Sequence, residues 1–246
     1  MHTFGLIGYP LGHSFSKAYF TQKFRELGLS AYRYELFELP NISDFPQLWS
    51  NASIQGLNVT IPHKQAIIPY LDALAPSAKA TGAVNVIQRV GSKSVGHNTD
   101  AFGFDQSLSR FLQGQQPHGA LVLGKGGAAK AVMYVLGQRN IPYRIVSRTP
   151  AAGEWHYKEL SEEILNQYPL IINTTPLGMY PKTEAFPEIP YQYLNQNHWL
   201  FDLVYNPTET AFMLKGEANG AQVCNGLAML YAQAEKAWEI WQSEMS

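Results

Sequence analysis

The sequence predicts an α/β protein built in two units, and three observations carry that expectation. Short apolar stretches alternate with helically spaced ones along most of the 246 residues, the pattern of strands joined by crossover helices. Residues 120–123, Ala-Leu-Val-Leu, lead without a gap into the glycine-rich turn Gly124-Lys125-Gly126-Gly127 and a further helical segment. Asn58, Thr60 and Lys64 gather where Pro62 ends a strand, because proline has no N–H for the ladder. Open α/β sheets bind small molecules at such strand ends.

In the first unit, residues 4–7 read as a short buried strand broken by Gly8 and Pro10. Residues 17–28 have helical spacing, with Tyr19, Phe20 and Phe24 apolar and Gly28 as C-cap. Residues 31–36 read as a second strand, 43–51 as a short helix, 56–61 as a third strand and 64–74 as a helix. Residues 83–89 and 94–96 read as a hairpin-like return. The alternation predicts a mostly parallel sheet over residues 1–99.

A second unit is expected to start near Thr99. Phe102, Phe104, Leu108, Phe111 and Leu112 give residues 100–112 the face of a helix packed on a sheet. A polar turn at 113–119 precedes the strand 120–123, and the glycine turn opens a helix over 128–138. Residues 143–147, 170–173 and 200–204 read as further strands. Leu227, Leu230, Ala234, Trp238 and Trp241 predict a long amphipathic helix within 226–246. No internal repeat or low-complexity segment is present.

Hydrophobic residues make up 46% of the chain and charged ones 15%, an ordinary globular composition, and the formal net charge is -1. That balance, with no Lys/Arg run, argues against nucleic-acid and acidic-membrane partners. No apolar run is long enough to span a bilayer. Cys224 is the only cysteine, so no intrachain disulfide can form. Together with an N-terminus lacking the signal-peptide pattern, this predicts a cytoplasmic protein.

Gly124, Gly126 and Ala129 satisfy the pattern G-x-G-x-x-G/A in the right setting, strand before and helix after. Glycines there let backbone N–H groups and the helix N-terminus approach a pyrophosphate; a turn kept only for packing is the alternative. NAD-preferring sites place an acid about 20 residues downstream to hold the ribose 2′-hydroxyl. Here that place reads Val146-Ser147-Arg148-Thr149, a cation and two hydroxyls with no carboxylate, which predicts NADP(H) over NAD(H). Lys125, inside the turn, is read as pointing to solvent, with a cation near the phosphates as its alternative.

Asn98-Thr99-Asp100 stands at the junction of the two units. A Lys64 ammonium paired with an Asp100 carboxylate can move a proton to or from an alcohol or ketone. Singly, Lys64 reads as a solvated lysine and Asp100 as a helix N-cap. Ser14 and Ser16 share a face of the first loop and suit a carboxylate or polyol, or cap the following helix. Asn85, Tyr205 and Gln233 are ambiguous alone. His13, His63 and His97 adjoin these motifs, but no pair has metal-ligand spacing; they are read as structural, and no metal is expected.

Taken in order, GYPLGHSFS (8–16), NVTIPHK (58–64), GAVN (82–85), NTD (98–100), the glycine turn, SRT (147–149), NTTPLGM (173–179), DLVYNP (202–207) and NGLAMLYAQA (225–234) resemble shikimate dehydrogenase nearly end to end. The resemblance implies reversible reduction of 3-dehydroshikimate to shikimate by NADPH, on the route to aromatic amino acids. It implies a substrate domain of residues 1–99 plus 226–246 and a Rossmann-like NADP-binding domain of residues 100–225, the last helix returning to the first domain. Lys64 and Asp100 become the catalytic pair. Ser14, Ser16 and Tyr205 would hold the substrate carboxylate, and Asn58, Thr60, Asn85 and Gln233 would read its ring hydroxyls. Gly124 to Ala129 (Lys125, Gly126, Gly127 and Ala128 included), Ser147, Arg148, Thr149, Thr174, Leu203, Gly226 and Met229 would line the cofactor. A monomer or homodimer is expected.

Three positions depart from the family's usual pattern: Lys17 in place of proline, Ser147 in place of asparagine, and Lys125 in place of a small residue. All three bear on ligand affinity and leave the catalytic pair intact. A quinate/shikimate dehydrogenase and a non-catalytic shikimate/NADP sensor of the same fold are the alternatives.

Overall fold

The computed structural model describes residues 1–12 and 14–243. It has two compact units: Met1–Thr99 with the chain from Ala234 onward, and Asp100–Gln233.

The first unit contains β1 (His2–Gly8), α1 (Phe15–Glu26), β2 (Tyr32–Glu38), α2 (Phe45–Trp49), β3 (Ile54–Val59), β4 (Ala73–Leu74), α3 (Pro76–Thr81), β5 (Val86–Val90) and β6 (Lys93–His97). Its six strands lie in the order β2-β1-β3-β5-β6-β4. The β1–β2, β1–β3 and β4–β6 pairs are parallel, while β5 is antiparallel to both β3 and β6. The period-2 alternation of β1 sorts the core: Phe4 and Leu6 pack on one face with Phe20, Phe24, Trp238 and Trp241. Ile7 packs on the other with Ile54, Leu57, Ile67 and Ile87.

The second unit contains α4 (Asp100–Leu112), β7 (Ala120–Leu123), α5 (Gly127–Gln138), β8 (Tyr143–Ser147), β9 (Trp155–His156), α6 (Glu162–Gln167), β10 (Leu170–Asn173), β11 (Trp199–Asp202), α7 (Ala211–Glu217) and β12 (Gln222–Cys224). All its strands are parallel, in the order β12-β11-β10-β7-β8-β9. Ala120 and Val122 face one apolar cluster, Leu121 and Leu123 another, so both faces are covered, as a parallel sheet requires.

The last helix, α8 (Leu227–Gln242), belongs to both units. Met229 packs with Phe104 and Phe201 in the second unit's core. Trp241 packs in the first unit's core and donates its indole N–H to the Ile87 carbonyl at 3.1 Å. The compact units therefore divide at Ala234, within the helix, whereas the expected boundary at Gly226 lies just before it.

The helix expected over 64–74 does not form. The Lys64 carbonyl accepts the Val84 N–H at 2.7 Å instead of a helical bond, and Pro69 supplies no donor. Turns lead instead to a single 3-10 turn at Ile68–Tyr70 and then β4. The segment 43–51 is likewise shorter, a 3-10 turn at Ile42–Asp44 followed by the five residues of α2. Periodicity missed α3, α6 and α7, whose six or seven residues span under two turns. Strands β4, β9 and β12, of two or three residues, also carry too little pattern to read.

Candidate active site

Side chains build the polar edge of the first unit's sheet. Buried Tyr34 on β2 donates its phenol proton to Asn58 Oδ1 at 2.7 Å. Burial holds that phenol well above the ordinary tyrosine range, so it remains a donor. With Oδ1 committed, the Asn58 amide nitrogen turns toward the Asn85 carbonyl, 3.4 Å away. Asn85 then makes two bonds to Thr99: its Oδ1 accepts the Thr99 N–H at 2.7 Å and its Nδ2 donates to Thr99 Oγ1 at 2.9 Å. Tyr34, Asn58, Asn85 and Thr99 thus belong to one continuous chain of buried hydrogen bonds, in which each amide has a set orientation.

Lys64 sits just past this edge, half-buried in the turn after Pro62. Its neighbour His63 is buried, with Nε2 2.6 Å from the Leu39 carbonyl, and the Lys64 carbonyl is bonded to Val84. Both contacts pin the turn that carries the amine. Thr60, with its N–H on the Ile7 carbonyl at 2.9 Å, continues the edge one residue past β3.

Ser14 is the N-cap of α1, its Oγ accepting the Lys17 N–H at 3.4 Å, and Ser16 lies in the first helical turn. The two serines therefore do not share a loop face; the helix begins at Phe15, two residues earlier than the apolar spacing suggested. A surface depression of about 560 Å³ beside α1 includes Ser14 but none of the other expected ligand residues. His97 is bonded to Gln88 at 3.2 Å, a structural role like that of His63, and His13 lies outside the described residues.

In the second unit, Asp100 is the first residue of α4 and is buried. It is part of the helix rather than a cap in front of it, in the turn where the helix dipole favours a negative charge. Tyr205 and Leu203 follow β11 on a loop held by Asp202. That carboxylate accepts from Asn173 Nδ2 at 2.9 Å, the Val204 N–H at 3.0 Å and Thr210 Oγ1 at 2.6 Å. Burial pushes the Asp202 carboxyl up to about 6 and also raises the Tyr205 phenol. Gln233, on α8, donates to the Leu230 carbonyl at 2.9 Å.

The glycine turn has the geometry a pyrophosphate needs. Gly124, at φ +100°, turns the chain sharply out of β7, and a Cβ there would meet Thr174 Oγ1 and Thr175 Cγ2 at 2.9 Å. Thr174 is held in place by its hydroxyl on the Leu123 carbonyl at 2.7 Å. Gly126, by contrast, has open space where a Cβ would stand. It is the N-cap of α5 and offers no side-chain cap, so the first N–H groups, around Gly127, Ala128 and Ala129, face that space. The residues present fit a dinucleotide phosphate. Gly226 precedes α8 with its N–H on the Val204 carbonyl at 3.1 Å, while Met229 is largely enclosed in the core.

The end of β8 corrects two expectations. Lys125 does not simply point to solvent: its Nζ donates to the Thr149 carbonyl at 2.7 Å and to Glu154 Oε2 at 3.1 Å. Nor is the strand end free of carboxylates. Gly153, at φ +84°, bends the loop so that Glu154 Oε2 lies 3.4 Å from Ser147 Oγ. Sequence reasoning missed Glu154 because it searched the strand end and not the returning loop; Gly153-Glu154 was the available signal. It missed Tyr34 as well, where a tyrosine on the inward face of an alternating strand required a partner for its hydroxyl. Among the described residues, no group of three or more His, Cys, Asp or Glu side chains is placed to hold a metal.

Comparison with known proteins agrees with this geometry. Residues 6–87 match the family model of the shikimate dehydrogenase substrate binding domain. A shikimate dehydrogenase (NADP(+)) of Clostridium beijerinckii is 39% identical, over 98% of this chain and 92% of its own length. The structure of shikimate 5-dehydrogenase from Thermus thermophilus in complex with NADP(H) and shikimate superposes with a TM-score of 0.85 at 31% identity, covering 99% of this chain and 94% of that one. Quinate dehydrogenase from Corynebacterium glutamicum in complex with NAD has a TM-score of 0.86 at 26% identity, covering 98% and 94%. With full-length relatives well above 30% identity and the strand-end residues in place, the chain belongs to the shikimate dehydrogenase family.

Proposed function

We propose that the protein is an NADP-dependent oxidoreductase that interconverts shikimate and 3-dehydroshikimate, a step in aromatic amino-acid biosynthesis. The observation that carries this reading is near-complete alignment with NADP-dependent shikimate dehydrogenases, with Lys64 and Asp100 both present. The bound nicotinamide cofactor supplies or takes the hydride. The chain's own residues bind, orient and handle the proton. Lys64 gives a proton to the oxygen of the ketone as it becomes an alcohol and takes it back in the reverse direction. Asp100 shares that proton handling. Ser14, Ser16 and Tyr205 hold the substrate carboxylate through hydroxyl donors. Asn58, Thr60, Asn85 and Gln233 read the ring hydroxyls. The hydrogen-bond chain through Tyr34 supports this role, since amides already oriented before binding lose less entropy when substrate arrives.

Gly124, Gly126 and the start of α5 hold the pyrophosphate, with Ser147, Arg148 and Thr149 at the adenosine ribose. No helix among the described residues is long and apolar enough to cross a membrane. A cytoplasmic monomer or homodimer is the setting proposed, supported by the single cysteine, which rules out an intrachain disulfide.

Absorbance change with shikimate and NADP⁺ tests the proposal, with quinate and NAD⁺ in parallel and Lys64→Ala as control. NADPH formation with shikimate, lost in the variant, is the expected result. Preferred turnover of quinate with NAD⁺ would establish the second reading, which the likeness to an NAD-bound quinate dehydrogenase favours. Ligand binding without turnover would make the protein a sensor.

A further inference from the structure

The end of β8 carries a charge arrangement that the reaction itself does not use. Glu154 Oε2 accepts three bonds: from the Ala151 N–H at 2.9 Å, from Lys125 Nζ at 3.1 Å and from Ser147 Oγ at 3.4 Å. Oε1 accepts none of them. The bonds from Ala151 and Lys125 hold the carboxyl below the ordinary glutamate range, so it is ionised at neutral pH. Its side chain is only 15% exposed, whereas Lys125 is 43% exposed. A fixed anion with one oxygen committed therefore stands beside Ser147, next in sequence to the exposed Arg148.

Such an anion and such a cation have opposite consequences for the ribose that binds at a β8 strand end. A free 2′-hydroxyl can donate to a carboxylate oxygen. A 2′-phosphate brings about two negative charges, which the carboxylate repels and the ammonium attracts. Lys125 also bridges the glycine turn to Thr149, so it contributes its charge from the pyrophosphate side of the same strand end.

We propose that Glu154 and Lys125 are specificity-determining residues that set how strongly the protein discriminates between phosphorylated and unphosphorylated nicotinamide cofactors, a role that rests on the dinucleotide reading above. Glu154 favours the free ribose, and Lys125 and Arg148 favour the phosphate. The protein consequently uses NADP(H) with weaker discrimination against NAD(H) than Arg148 alone would impose.

Calorimetric titration of the full chain with adenosine 2′,5′-bisphosphate and with 5′-AMP tests this without requiring turnover. Glu154→Gln keeps the shape and an acceptor for the Ala151 N–H. It is expected to tighten the bisphosphate about three- to tenfold while 5′-AMP is unchanged or weaker. Lys125→Met is expected to weaken the bisphosphate by a similar factor and change 5′-AMP less. The ratio of kcat/KM for NADPH over NADH should rise in the first variant and fall in the second. Equal factors for both nucleotides in both variants, or no change in either, would overturn the inference alone. A wild-type chain that binds neither nucleotide would overturn the cofactor reading and this inference with it.

Discussion

Two strand-end edges, one in each unit, are built by opposite means. In the first unit the edge is assembled from buried neutral side chains, Tyr34, Asn58, Asn85 and Thr99, each oriented by the next. In the second it is assembled from backbone N–H groups at the start of α5 and from partly exposed charges, Lys125, Arg148 and Glu154. The difference matches what each edge is proposed to recognise. A small polyol offers hydroxyls, which only fixed donors and acceptors can tell apart, and a fixed amide must be buried and fully bonded to stay in place. A dinucleotide offers phosphate charge, which a helix N-terminus and partly exposed cations meet at longer range.

The largest test of this contrast is Lys64→Ala. Removing the proton carrier while leaving the neutral network should reduce kcat by about 10²- to 10⁴-fold, with shikimate still binding, as initial rates and calorimetry would show. Loss of binding together with turnover would assign Lys64 to the recognition edge instead.

Asp202, like Asp100, departs from the second unit's exposed electrostatics, and it is a buried carboxylate supporting the Leu203–Tyr205 loop. Its folded-state value of about 6 lies above the ordinary 3.8. A raised carboxyl binds its proton more tightly folded than unfolded. The resulting stability is fully present below about pH 4 and is lost as pH rises through about 6, by about 3 kcal/mol in all. Urea denaturation across that range should show this component in the wild type and not in Asp202→Asn. A constant difference between the two at every pH would contradict it.

Tyr34→Phe addresses the first edge directly. It leaves Asn58 Oδ1 buried without its donor, which should cost about 1–3 kcal/mol of stability and raise the KM for shikimate more than that for NADPH. A change in stability with both KM values untouched would make Tyr34 a core residue with no positioning role.

The smallest effect belongs to an exposed charge. Arg148→Ala should raise the KM for NADPH by about tenfold or less and leave that for NADH nearly unchanged. Equal changes for both cofactors would place Arg148 away from the 2′ position.

In the second unit the longer elements were legible residue by residue, while α6, α7, β9 and β12 were not. Strands 120–123, 143–147 and 170–173 and helix 100–112 match the structure because each carries a full period of pattern. The candidate chemistry-bearing side chains were also nameable from the sequence, since Lys64, Asp100 and the glycine turn lie in contiguous motifs. Partnership between residues far apart in the chain was not. Tyr34 reaches Asn58 from 24 positions away, and Lys125 reaches Glu154 from 29. No local pattern records a hydrogen bond reaching over an intervening strand, as from β2 to β3 across β1, or between a turn and a returning loop. The helix expected over 64–74 failed for the same reason, because the Lys64 carbonyl found its partner at Val84. Periodicity and composition determine elements and candidate groups, since those depend on neighbours along the chain. Only the tertiary structure decided which way each amide points and where an anion stands at the cofactor edge, because these depend on neighbours in space.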